Sequence, residues 1–286
     1  MEQELCHAVK FGDLRKVKSI LRYHPETNVN WESLFERNIL AWACIRGHPS
    51  IVSALLAHPT INVNVKSSRN GYTALYYAGY KGPVSCLRLL LDDPRVDVNL
   101  HTGEGETPLS NASSVGRLDV VRSLIASGRD LDFGKPRRKD DAIAATKAES
   151  WEGKEGKRNK AAVNSLLKKF KKDPVQTRFE VRVGLGSKDE MAAEVFALVV
   201  FLCEGFVKLH RKGKRALEPG RRFFNVAKRL PMELQMILCH LAMGSTKESV
   251  HSADAQAGFR SVSTKLEDKS GAPDFFRYEY VPKVIW

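Results

Sequence analysis

The chain has 286 residues, 43% of them apolar, and a formal net charge of +13 from 46 Lys and Arg against 33 Asp and Glu. That length exceeds one ordinary domain, and the apolar share excludes a disordered or fibrous chain. The longest oily run, Val195 to Cys203, is too short for a bilayer and is bracketed by Glu194 and Glu204, so it reads as a buried helix and not as a membrane span.

The start, Met1-Glu2-Gln3-Glu4, is acidic where a secretory leader would be basic, which points to the cytoplasm or nucleus. A phrase of Leu, then Ala, three variable residues and Gly follows four times: Leu5 with Ala8 and Gly12, Leu40 with Ala43 and Gly47, Leu75 with Ala78 and Gly82, Leu109 with Ala112 and Gly116. The alanines are 35, 35 and 34 residues apart. Past each glycine come apolar pairs at helical spacing (Ile20-Leu21, Leu55-Leu56, Leu89-Leu90) and then a Val-Asn step (Val29-Asn30, Val63-Asn64, Val98-Asn99), with Leu131-Asp132 in the fourth slot. Thr107-Pro108-Leu109 and Thr73-Ala74-Leu75 open the third and fourth phrases.

On these residues the stretch 1–134 resembles the ankyrin family. The resemblance implies an all-α solenoid of four helix-turn-helix repeats with β-hairpin fingers. None of the four units carries the family's histidine after the leucine, so the hydrogen bonds that residue gives to neighbouring fingers are expected to be missing. Leu91, Asp97, Val98 and Asn99 have the spacing of a finger asparagine open to hydroxylation, though Asn99 reads first as a structural turn residue.

A degenerate fifth unit follows at 135–173. Asp141-Ala142-Ile143 keeps the period, but Leu166-Leu167 falls eight residues late, and Gly153 to Lys160 is the expected polar loop let into the unit. Such an insertion costs little closure entropy, and a terminal unit needs a polar outer face. Basic runs at 135–172 and at Arg211 to Arg222 read as solvated faces; a nuclear import receptor and nucleic acid are the alternative partners, the latter disfavoured because no aromatics are interleaved.

Beyond Pro174 the period is lost, and 174–268 reads as a helical module: Met191 to Leu209, Arg222 to Leu230, Glu233 to Met243, and Ala253 to Leu266 after Ser252. Residues 269–286 form a tail. Within the module, Leu230-Pro231-Met232-Glu233-Leu234 followed by Ile237, Leu238 and Leu241 resembles the opening of an F-box, although the later Cys-Arg-Arg-Trp-like stretch of that motif is absent. The resemblance implies docking on a Skp-type adaptor of a cullin-type ubiquitin ligase, an arrangement similar to poxvirus ankyrin proteins with such tails. The competing reading is a helix whose stripe packs on Val195 to Cys203.

The chemistry is that of a binder. Gly184-x-Gly186 lacks the third glycine and the strand-helix setting of a phosphate loop, and no nucleophile motif occurs. Cys6, Cys44, Cys86, Cys203 and Cys239 have no Cys-x-x-Cys pair and read as reduced, buried thiols; Cys239-His240 alone cannot complete four ligands, so no metal or cofactor is expected. The ankyrin register places His7, Lys10 and Phe11; Trp42, Ile45 and Arg46; Tyr77, Tyr80 and Lys81; and Asn111, Ser114 and Val115 toward a concave groove, with finger residues Lys66, Arg69, Asn70 and Tyr72 beside it. Trp, Tyr and Arg dominate interface hot spots, so the predicted function is a monomeric, non-enzymatic scaffold that takes a protein partner of acidic and apolar character. A ubiquitin-ligase substrate receptor is the sharper alternative.

Overall fold

A computed structural model describes residues 1–33, 37–134, 141–146, 153–203, 226–227, 229–243 and 258. The chain divides into two compact units, Met1–Lys172 and Asp173–Trp286. The expected tail at 269–286, the expected helix at 253–266 apart from residue 258, and the basic runs at 135–139 and 211–222 lie outside the described residues.

The first unit is a series of helix pairs: α1 (Glu2–Phe11) with α2 (Leu14–Tyr23), α3 (Ile39–Arg46) with α4 (Pro49–Leu56), α5 (Ala74–Tyr80) with α6 (Val84–Asp92), and α7 (Pro108–Val115) with α8 (Leu118–Ala126). Each first helix lies against the first helix of the next pair, and the second helices do likewise. Leu5, Leu40, Leu75 and Leu109 are buried with Ala8, Ala43, Ala78 and Ala112 between successive pairs. The alanines let neighbouring helices approach, and each buried leucine contributes roughly 1.5–3 kcal/mol. No pair could hide these faces alone.

The helix starts are local chemistry. Asn38, Thr73 and Thr107 side chains accept from the backbone N–H of Ala41, Tyr76 and Ser110, and the Ser110 hydroxyl returns the bond to Thr107 N–H. The repeated glycine has two uses. Gly12, Gly47 and Gly116 end their helices with φ between 74° and 77°, the left-handed conformation that favours glycine. Gly82 lacks that φ; a Cβ there would lie 2.8 Å from the Cys44 carbonyl oxygen, so the third glycine serves close packing.

The fingers differ from the strand hairpins that the resemblance implies. Ser33, Ser67 and Thr102 N–H donate to the carbonyls of Arg37, Tyr72 and Glu106, and among the described residues the only β-pairing is an isolated bridge between Glu32 and Asn38. Fingers are tied to one another by the Val-Asn step: Asn30, Asn64 and Asn99 each donate through Nδ2 to a carbonyl of the next finger (Thr60, Arg95, Asp130) and accept from its N–H (Asn62, Asp97, Asp132), all at 2.8–2.9 Å. Asn99 is thus a structural bridge.

The fifth pair is α9 (Ala142–Ala145), capped by Asp141, and α10 (Gly153–Lys172). Gly153 to Lys160 is therefore helical and not the polar loop its late leucines suggested; the extra residues lengthen the second helix. Val163, Leu167 and Phe170 are buried, and Phe170 stacks on Phe133 at 5.8 Å between centroids.

The second unit holds α11 (Pro174–Gly184), α12 (Lys188–Cys203) and α13 (Met232–Ala242). Nearly every described side chain of α12 from Met191 to Val199 is buried, and Cys239 and Met243 pack against it. A partly buried ion pair joins Arg182 of α11 to Glu194 of α12 at 2.8 Å.

Candidate partner-binding surface

The first helix of each pair turns three register positions toward one face. The residue before the alanine was expected to be free; His7 is exposed, but in the other three repeats the structure corrects the expectation. Trp42 and Tyr77 are only 7% and 8% exposed, and Asn111 is buried too. These rings fill the gap between consecutive fingers and helices and form a floor, not projecting anchors. The two positions before the glycine are the open ones: Phe11 is 74% exposed, Tyr80 40%, and Arg46 and Lys81 lie on the surface, while Lys10, Ile45, Ser114 and Val115 are half-buried.

Cations surround the floor. The Trp42 indole donates to the Ser33 hydroxyl at 3.0 Å, and Lys10, Arg37 and Arg46 lie 4.2, 4.9 and 5.6 Å from its ring. Arg37 also lies 5.4 Å from the Tyr77 ring. A guanidinium against aromatic faces keeps its in-plane donors directed outward. Its Nε is buried with no hydrogen-bond acceptor, a condition that costs about 1–3 kcal/mol. Arg37 was not singled out in the sequence because it stands just before the Asn38 cap, in a finger position that the repeat does not constrain.

Tyr80 carries Lys81 at 5.4 Å over its ring. Of the finger residues, Lys66, Arg69 and Asn70 are exposed, whereas Tyr72 is half-buried, stacked on Tyr76 at 4.3 Å and set edge-on to Tyr77 at 5.5 Å.

Tyr76 is a second residue the sequence did not single out. It occupies the place of the missing histidine, and its hydroxyl donates to Glu106 Oε2 at 2.9 Å while accepting from Asn111 Nδ2 at 2.8 Å. Burial first, then the Glu106 carboxylate, push its phenol well above the usual value, so it stays a donor. Asn38 Nδ2 donates to the Val65 carbonyl of the next finger at 3.2 Å. The expected loss of inter-finger hydrogen bonds is thus made good by other side chains.

In the second unit the Leu234, Ile237, Leu238, Leu241 stripe is split. Leu234 and Leu241 are 47% and 67% exposed; Ile237 and Leu238 are half-buried, with Leu238 packed on the core. The buried face of α13 is rotated to Gln235, Cys239 and His240. Pro231 is exposed and caps the helix rather than entering its first turn, and the half-buried Leu230 accepts from Gln235 Nε2 through its carbonyl at 2.9 Å. Burial pushes the Cys239 thiol up to about 12 and Cys44 well up, which leaves both poor nucleophiles. Among the described residues no group of three His, Cys, Asp or Glu side chains could hold a metal ion, and no helix is long and apolar enough to cross a membrane.

Residues 5–102 match the family model of ankyrin repeats, in three copies. The chain is 35% identical over 121 residues to the putative ankyrin repeat protein YahD of Escherichia coli, spanning 41% of this chain and 58% of that protein. It is 37% identical over 60 residues to human ankyrin repeat domain-containing protein 29, covering 21% and 20% of the two chains. Over 144 residues it is 30% identical to human SMC5-SMC6 complex localization factor protein 1, covering 45% of this chain and 13% of that one. The chain spans about a fifth of the first of these human relatives and less of the second. Residues 5–102 are ankyrin repeats, within an all-α repeat fold.

Proposed function

We infer that this chain has a protein-protein interaction role, which its ankyrin repeats imply. We propose that the partner docks on the inner-helix face of the first three repeats, with the fingers as one wall. The observation that carries this reading is the exposure of Phe11 and Tyr80 beside Arg46 and Lys81, above a floor of Trp42 and Tyr77 already fixed by packing. Exposed aromatics next to arginine, on a rigid base, are what an interface hot spot requires. Affinity capture with the full chain and with Phe11→Ala plus Tyr80→Ala tests it: the variant melts as the parent does and loses its partners. Undiminished capture would show the face idle.

A second reading assigns α13 to a Skp-type adaptor, making the chain a ubiquitin-ligase substrate receptor. It is favoured by Met232, Leu234 and Leu241 lying exposed on a helix whose other face packs on α12. Binding of purified Skp that persists in Leu234→Asp plus Leu241→Asp would reject it. Residence in the cytoplasm or nucleus is proposed with both readings, and a fluorescent fusion checks it.

A further inference from the structure

Four arginines of this chain that tie its helices and fingers together are matched to acceptors. Arg95, Arg117 and Arg182 pair with Asp93, Asp119 and Glu194 at 2.6–2.8 Å, and Arg129 donates to four carbonyls of the preceding repeat. Arg37 and Arg46 depart from that pattern. Among the described residues no carboxylate or carbonyl accepts from either, and the Arg37 Nε is buried without a partner. Both lie against the same indole. None of the groove-facing register positions from His7 to Val115 is acidic.

We propose that Arg37 and Arg46 form a slot over Trp42 for a carboxylate side chain of an acidic peptide segment in the protein partner. This deepens the reading of the inner-helix face as the docking surface and rests on it. Two planar guanidinium forks match the two coplanar oxygens of an Asp or Glu side chain in paired hydrogen bonds. The stacking on Trp42 and Tyr77 holds Arg37 in place before the ligand arrives, so little side-chain freedom is lost on binding. The incoming carboxylate meets two guanidinium groups that lie against one indole and for which no described carboxylate or carbonyl is the acceptor. Phe11 and Tyr80, exposed to either side in register, take apolar neighbours of the acidic residue.

The test is selection of a random dodecapeptide phage library on the full chain, followed by titration of the selected peptides and their Glu→Gln and Asp→Asn versions. Selected sequences carry one or more acids among apolar residues, and neutralising the acid weakens binding about tenfold or more. Arg37→Gln weakens the acidic peptide by a similar factor and abolishes the difference between it and its neutral version; Arg37→Lys restores only part, since it keeps charge but not the fork. Lys168→Gln plus Lys172→Gln, which removes two exposed charges from α10, leaves binding unchanged. Peptides without acids, no selected peptide at all, or equal loss in the α10 variant would each overturn the slot. Peptides that lack acids yet fail on Phe11→Ala plus Tyr80→Ala remove the slot and leave the docking face standing, whereas peptides indifferent to Phe11 and Tyr80 remove both.

Discussion

In the unit spanning 1–172 the first four helix pairs present the same positions to their neighbours, so a leucine in one repeat is buried for the same reason as its counterpart 34 or 35 residues on. The unit from 173 onward has no such translation: α12 is buried along almost its whole described circumference, and its neighbours each contribute a different set of residues. The first kind of core is built from adjacent contacts and tolerates variation on its open face, where Phe11, Arg46, Tyr80 and Lys81 differ freely. The second has no repeating open face, and a polar pair, Arg182 with Glu194, is set inside it. Periodic packing separates positions that hold the fold from positions that meet a partner; aperiodic packing mixes them.

That contrast can be broken most directly through the Arg182–Glu194 ion pair. Glu194→Gln removes the charge that faces the half-buried Arg182 guanidinium at 2.8 Å and is expected to cost about 1–3 kcal/mol. Hydrogen exchange of the full chain should lose protection in α11–α13 while α1–α8 keep theirs; loss throughout would show that the units do not behave separately. Leu75→Ala, a fully buried repeat position, is expected to cost about 2–5 kcal/mol. Because each repeat shelters its neighbours, protection should fall in α3 through α7 together, and loss confined to α5 would contradict nearest-neighbour stacking.

Tyr76→Phe removes a hydroxyl that serves both Glu106 and Asn111 and should lower stability by about 1–2 kcal/mol in urea titration. Peptide or partner binding should be unchanged, which would place Tyr76 among the residues that hold the fold. The smallest effect is expected from Leu234→Asp plus Leu241→Asp, within about 0.5 kcal/mol, since both side chains are largely exposed. A cost above that of Tyr76→Phe would mean the stripe is packed after all.

Much of the candidate site was legible, but not its depth. Register alone brought Lys10, Trp42, Arg46, Tyr77, Tyr80 and Lys81 to one face, because a 34-residue translation repeats direction as well as position. It could not say that Trp42 and Tyr77 fill the space between fingers, since ring size acts on the neighbouring repeat and not on its own. Arg37 escaped notice for the opposite reason: finger residues are unconstrained by the period, and only the folded chain lays a guanidinium across two rings. Likewise the absent histidine suggested looser fingers, because hydrogen-bond partners 30 and 35 residues away, Glu106 and Asn111 for Tyr76, carry no local signature.

By itself the order of residues determined the repeat, its helix starts at Thr73 and Thr107, its turn glycines and its leucine-alanine core, since these depend on neighbours within a few residues or on exact recurrence. Tertiary structure alone decided which face of α13 is buried, that Gly153 to Lys160 continues a helix, and which arginines are left without acceptors. Those outcomes depend on the volume and polarity that distant segments bring to a side chain, and a linear pattern does not contain that information.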